Sequence, residues 1–382
     1  METIASDYQK DLKREQPITN KKKEGSMMFK FNKRAIASVL TLAMAVVTLA
    51  GCSGGASKTP SGTSENSKKP EVVYRINSTQ AVDLFEQLEK KFAENVTEMS
   101  GGRIGFEFVP TGSIGSSTEA LTSVQMGTLD FVNGGSDELG SLVPNSDWAQ
   151  LPFFINSHEQ ADKEYMNGFI GKFADEQYAE KGLVSVVRVD NSFRTLGIKD
   201  KAVNSSNDLK GLRIRVPNQP LALRMYELMG ALPVAIPAPE VLMALQQGTV
   251  DGADNAVLLF DKFKLMDSFK SVVLLNYGFG TVNIFASKEI WDTMSAEDQK
   301  IMKEAGLKAR EWYTAELLKQ EKELIERLKA EGKNVIVPDD KWKAEMYKNA
   351  DVIWQEALKS GKYDETFIKE LYALYQKNIG AK

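Results

Sequence analysis

From Val72 onward the hydrophobic and polar positions follow first the period of a strand and then that of a helix. "VVYRIN" is rich in β-formers, Ser78 or Thr79 stands where a cap is wanted, and Val82, Phe85, Leu88 and Phe92 fall on one helical face. Gly101-Gly102 closes that helix; in "RIGFEFVP", Ile104, Phe106 and Phe108 then alternate until Pro110 ends the run. Strand, helix and strand in this order predict the start of an α/β domain.

Two further segments carry nearly the same phrase. "EALTSVQMGTLDF" (119–131) and "EVLMALQQGTVDG" (240–252) share Glu, Leu, Gln, Gly, Thr and Asp at the same spacing. In the first, Ser116-x-x-Glu119 fits a capping box, Leu121 and Val124 face inward and Gly127 stops the helix, so Glu119 reads as a cap in preference to a catalytic acid. "TLDFVNGG" then predicts a strand that opens into a glycine turn. In the second, Pro239 suits the first helical position, Leu242 and Leu245 face inward, Gly248 ends the helix and "TVDGADN" leads out to Asp254-Asn255. Either the likeness is chance, or each copy is the helix-to-strand step of a separate α/β lobe. In that case the loops at the carboxyl ends of the strands make a cleft.

Between the copies lies "NDLKGLRIRVPN", with Leu212, Ile214 and Val216 on one strand face and Arg213 and Arg215 on the other. Pattern alone makes these arginines solvated edge residues. Further on, Ser295-x-x-Asp298 caps a helical pattern that runs toward Gly332, about 37 residues or roughly 55 Å. Ile301, Ala305, Ala309, Trp312, Leu317, Leu324 and Leu328 drift against a strict heptad. A coiled coil, a break near Gly306 and one helix laid across both lobes are the three options. "NVIVPD" gives a short strand, and two closing helices bury Trp342, Met346 and Ile353, then Phe367, Leu371 and Leu374.

The N-terminal region changes the compartment. Lys30, Lys33 and Arg34 precede an apolar run, Ala35 to Ala50, of about 16 residues, shorter than the ~20 of a membrane span. It reads as a cleaved signal peptide. Its Leu49-Ala50-Gly51-Cys52 ending looks like a bacterial lipoprotein processing site, which implies that Cys52 is lipidated and becomes the mature N-terminus; the bland reading is a structural cysteine that follows a signal. Residues upstream of Met27 and Met28 do not suit the start of a signal peptide, so translation is expected to begin at Met27 or Met28. After Cys52, "SGGASKTPSGTSENSKKP" has almost nothing to bury and reads as a tether (52–70) spanning on the order of 25 Å.

The full chain of 382 residues, 42% hydrophobic, suits two domains once an export segment is removed. Its one cysteine leaves no internal disulfide, so stability has to come from the core. Removing residues 1–51 takes nine Lys/Arg from 48 and five Asp/Glu from 52, leaving 39 against 47 and a net charge of −8. An acidic surface argues against nucleic acid as a partner. Any anion must be held by local positive charge.

In "GSIGSSTEALTSVQMGTLDF", "LPFF" (151–154), "NDLKGLRIRVPN" and "EVLMALQQGTVDGADN", taken together and in this order, the sequence resembles the solute receptors of TRAP (tripartite ATP-independent periplasmic) transporters, the dicarboxylate-receptor or DctP-type family. The resemblance runs from about Val72 into the long helical pattern. It implies an α/β, two-lobed, periplasmic-binding-protein-like clam-shell of the type II style, with a long helix spanning both lobes. Lobe I would hold 71–191 and 281–320, and lobe II 192–280 and 321–382. It also implies that Arg215 grips a ligand carboxylate with Asn255 in support, that Arg194 is a second arginine of the pocket, and that Tyr277 and Asn77 face the ligand. A planar guanidinium offers parallel donors to a carboxylate and stays charged at physiological pH. Family receptors for sialic acid carry an acidic residue near Gly135 and an aromatic one near Ala238, and by this reading the sequence has neither.

The expected partners are a small organic acid (dicarboxylate, sugar acid or keto acid), the large and small TRAP membrane subunits, and the membrane itself through the lipid on the extracytoplasmic face. No cofactor is expected. A lipoprotein receptor for an ABC importer or a sensor kinase has the same physics with another partner. An extracellular enzyme is disfavoured. The single histidine, His158, sits in the polar "NSHEQA", which reads as a surface helix start, and no metal-ligand spacing, serine triad or phosphate-cradling glycine loop is visible.

Overall fold

The computed structural model describes residues 69–380. Cys52, the signal peptide, the tether and the Met27/Met28 start lie outside the described residues.

Strands β1 (Val72–Ser78), β2 (Ile104–Val109), β3 (Phe131–Gly135), β4 (Leu183–Ile198), β5 (Arg213–Val216), β6 (Leu232–Ala235), β7 (Gly252–Ala256), β8 (Ser271–Val273), β9 (Phe279–Ser287) and β10 (Asn334–Ile336) follow the order β2-β1-β3-β9-β4-β7-β5-β6, with β8 on β4 and β10 on β8. The sixteen-residue β4 belongs to two sheets. Up to Phe193 it pairs with β9; from Arg194 it pairs with β7, and Leu196–Ile198 also pair with β8. At the changeover the register slips between Asp190 and Phe193, and Ser192 takes a left-handed φ of 69°. A non-glycine residue in that region marks a backbone held by its surroundings. Here the Ser192 amide donates to the Asp190 carboxylate.

The repeated phrase has a structural meaning. The first copy forms the helix Ser117–Gln125 and leads into β3, which lies parallel to β1 and antiparallel to β9. The second forms the helix Val241–Gln246 and leads into β7, parallel to β5 and antiparallel to β4. Each phrase therefore builds the strand that joins one lobe to a crossing segment. Gly127 and Gly248 stop the two helices at the same φ of 69°. The capping box is present: the Glu119 amide donates to Ser116 Oγ, and the Ser116 amide donates to the Glu119 carboxylate at 2.6 Å.

Several expectations are corrected. The first helix runs Asp83–Met99 with no side-chain cap, because β1 extends through Ser78 to pair with Asn133 and the Thr79 amide donates to the Asn133 carbonyl. Gly134 and Gly135 form no turn; they pair with Asn283 and Val282 of β9. A side chain at Gly134 would crowd Thr79 and Glu138 at 3.2 and 3.3 Å. Arg213 and Arg215 are not on an edge strand, since β5 lies between β6 and β7.

The long helix is continuous from Ala296 to Ala330, and the Asp298 amide donates to the Ser295 cap. Gly306 marks a close approach in place of a break: a Cβ there would lie 2.2 Å from the Val186 carbonyl oxygen of β4. The missing side chain lets the helix rest on the crossing strand. Gly306→Ala gains about 1 kcal/mol of helix propensity, yet overpacking against backbone costs roughly 1–3 kcal/mol or more. We expect a lower melting temperature; a rise would refute the close-packing account.

The closing helices, Asp340–Lys359 and Glu365–Gly380, bury Trp342, Met346, Ile353, Phe367 and Leu371, while Leu374 is half-buried. Trp354 Nε1 donates to the Pro152 carbonyl and Asn378 Nδ2 to those of Phe153 and Phe154, so these helices hold the "LPFF" segment, in which Phe153 has a φ of 61°. Among the described residues no helix is long and apolar enough to cross a membrane.

Candidate functional site

A cavity of about 990 Å³ lies between the two sheets, lined from both. That is the upper end of the range for small-molecule pockets.

Strand β5 supplies the central side chain. Ile214 and Val216 are fully buried on its core face, so alternation sends Arg213 and Arg215 to the other. The two arginines then differ in depth. Arg213, exposed, is held by Asp251 through Nε and Nη2 at 3.1 and 2.6 Å. Arg215 is only 3% exposed and lines the cavity at the carboxyl end of the parallel strands. Its Nε donates to the Ile236 carbonyl at 2.8 Å and its Nη1 to the Asp254 carbonyl at 3.0 Å. Two backbone acceptors, one just beyond the end of β6 and one on β7, fix the guanidinium plane.

Asn255 follows on β7 and lines the same wall; its Oδ1 accepts from the Ala256 amide at 2.9 Å. Arg194 reaches the cavity from β4 and forms an ion pair with the fully buried Asp254. The Asp254 carboxylate also accepts from Tyr226 Oη at 2.8 Å and Tyr277 Oη at 3.1 Å. Burial, with the Asp254 charge second, pushes both phenols well above their ordinary pKa, so both remain donors. Gly278 makes room for Arg194, whose Cγ would sit 2.7 Å from a Cβ there.

The structure thus brings Arg215, Asn255, Arg194 and Tyr277 to one cavity. Asn77 is not with them. Buried on β1, it gives its amide to the carbonyls of Val109 and Pro110 at 3.0 and 3.1 Å, tying the end of β2, and it does not line the cavity.

His158 is also misread by local pattern. It does begin a short helix, His158–Gln160, behind a Ser157 cap, but its ring is not a surface group. Nδ1 meets Asp190 of β4, Nε2 lies 3.2 Å from Glu321 of the long helix, and Phe193 packs edge-on at 5.2 Å. Burial opposes its charge, but hydrogen bonds and charge from Asp190 and Glu321 override it and raise the pKa to about 10.

Two groups were missed. Glu138 lines the cavity from the short helical segment Ser136–Ser141 after β3, and its carboxylate accepts from Thr79 Oγ1 at 2.7 Å, Gln80 Nε2 at 3.0 Å and the Gly135 amide at 3.2 Å. An acidic side chain therefore does stand near Gly135, contrary to the sequence reading. The small Ala238 lines the cavity as well, where an aromatic ring was expected to be lacking. Asp254 was the second; its signal was an aspartate inside "GADNA", a strand with every residue buried.

Two sheets joined by a shared crossing strand, with a cavity walled by both, define a two-lobed solute receptor. The particular family follows from comparison: the sequence model for bacterial extracellular solute-binding protein, family 7 (DctP), matches residues 78–360, and the chain belongs to that family of TRAP solute-binding proteins. It is 27% identical over 250 residues to the sialic acid-binding periplasmic protein SiaP of Vibrio cholerae, covering 65% of this chain and 78% of the relative. It is 24% identical over 303 residues to the C4-dicarboxylate-binding protein DctB of Bacillus subtilis, covering 79% and 85%. Among solved structures, a TRAP periplasmic solute binding protein from Polaromonas sp. JS666, bound to D-erythronate, superposes with a TM-score of 0.70 at 25% identity, covering 80% of this chain and 98% of that one.

Proposed function

We propose that this chain is the extracytoplasmic receptor that captures a small organic acid and hands it to the TRAP membrane subunits. Arg215 grips the carboxylate, Asn255 supports it, and Arg194 and Tyr277 complete that wall. The observation that carries the reading is the buried Arg215 guanidinium, held by the Ile236 and Asp254 carbonyls at the cavity wall. A charged, oriented fork at a cavity wall suits a carboxylate, and lysine cannot copy it. The relatives' names point to acids as well: a sialic acid, C4-dicarboxylates and D-erythronate.

The lobes in this reading are 71–191 with 281–320 and 192–280 with 321–382. Acid bound between them favours closure by its extra contacts in the closed form. Lipid on Cys52 and the tether keep the receptor at the membrane face.

The test is a thermal-shift screen against organic acids, neutral sugars and amines. A solute that binds only the folded state raises its melting temperature, by about 2.7 kcal/mol of stability at a hundred times Kd. Acids are expected to shift it and the neutral and cationic solutes are not; the reverse pattern would discard the reading.

A further inference from the structure

Kinship leaves open how many carboxylates the ligand carries, since one relative is named for a sialic acid and another for C4-dicarboxylates. The charges around the cavity bear on this. Among the described residues three cations line it: Arg194, Arg215 and Lys362. Three carboxylates answer them: Glu138 and Asp147 in the lining, and Asp254 directly behind it against Arg194. Lys362 forms an ion pair with Asp147. Over these described groups the formal charges sum to zero. One bound carboxylate leaves a deficit of one positive charge, and a second doubles it at the cost of like-charge repulsion.

Position sharpens the count. Arg215 stands on the β5 wall, whereas Glu138 stands on the wall that follows β3 in the other sheet. Thr79, Gln80 and the Gly135 amide all donate to the Glu138 carboxylate, so it is fixed in place as an acceptor. A fixed acceptor welcomes hydroxyl donors and repels another acceptor-only carboxylate. Further amides line the cavity in Asn145, Gln150, Asn191 and Asn218, and these also suit hydroxyl groups.

We infer that the cavity selects a polyhydroxylated monocarboxylate of the sugar-acid class and rejects diacids, with Glu138 as the specificity-determining residue on the wall away from Arg215. This rests on the reading of Arg215 as the carboxylate grip. Acids of matched length and hydroxyl pattern test it by isothermal titration calorimetry on the full chain: D-gluconate against D-glucarate, and D-galactonate against galactarate, which differ only in a terminal hydroxymethyl group or carboxylate. L-malate serves as the small diacid.

At least one monoacid is expected to bind ten times or more tighter than its diacid and than L-malate. Glu138→Gln should narrow that gap tenfold by improving the diacid, with the melting temperature confirming the fold. A diacid binding as well as its monoacid, or a gap unchanged by Glu138→Gln, overturns the inference. If that diacid binding is lost in Arg215→Lys, the grip survives without the selectivity. Silence from all five acids overturns the named class; neutral D-glucose binding in their place removes the Arg215 reading with it.

Discussion

Arg215→Lys should weaken acid binding at least tenfold, and by more than a hundredfold if both prongs of the grip are lost, while the chain still folds. The estimate comes from hydrogen bonds to charged groups, which contribute about 1.5–3 kcal/mol net, with each 1.4 kcal/mol worth a factor of ten in Kd. Lysine keeps the charge but not the plane. Nε and Nη1 of Arg215 now reach the Ile236 and Asp254 carbonyls together, and a single ammonium cannot reproduce that brace and also face a carboxylate with parallel donors. Leaving a buried carbonyl short of a donor costs about 1–3 kcal/mol, so the melting temperature falls by a few degrees as well. Titration with the acid giving the largest thermal shift reads the affinity, and circular dichroism reads the fold. An unchanged Kd would take Arg215 out of the site.

Local chemistry made much of the fold legible. The capping box at Ser116, the glycine stops at Gly127 and Gly248, and the Ser295 start of the long helix each rest on residues within a turn of one another, and each is present. The duplicated phrase was readable for the same reason: a helix stop and a strand start are encoded in adjacent residues. Arg215 needed more. Its alternation with Ile214 and Val216 gave the face, but its burial depends on β6 and β7 flanking β5, and strand order is not written in the strand. The resemblance supplied what the pattern could not.

The misreadings share that cause. Asn77 has the amide of a pocket residue, yet β2 brings the Val109 and Pro110 carbonyls to it from the neighbouring strand. Pattern alone left a break at Gly306 as one of three options, because the glycine's partner, the Val186 carbonyl, lies on a strand more than a hundred positions earlier. Glu138 hid in a polar stretch. Only the meeting of Thr79, Gln80 and Gly135 around it shows that its carboxylate is fixed at a cavity.

His158→Gln should destabilise the chain most near neutral pH, and the difference from the natural chain should shrink toward pH 10. His158 joins three segments at the crossing: its own short helix, Asp190 where β4 slips register, and Glu321 on the long helix. Removing one member of such a buried cluster costs roughly 3 kcal/mol, toward the low end of the range because the ring is one quarter exposed. The folded pKa, about 10, lies above the ordinary value of 6.5, so the folded state binds the proton more tightly than the unfolded one. The histidine's contribution is therefore complete below about pH 6.5 and is lost as pH rises through 10. In the glutamine variant Asp190, whose pKa burial already raises, loses the cation beside it, so acid, by protonating that carboxylate, should partly restore its stability. Melting curves of the two chains from pH 5 to 10 that run parallel would sink this account. The consequence reaches the cavity, because Asp190 also holds the Ser192 amide, and Asn191 and Ser192 line the pocket. A change in acid affinity on His158→Gln, beyond what lost stability explains, would show that the charge at the crossing helps set the shape of the binding wall.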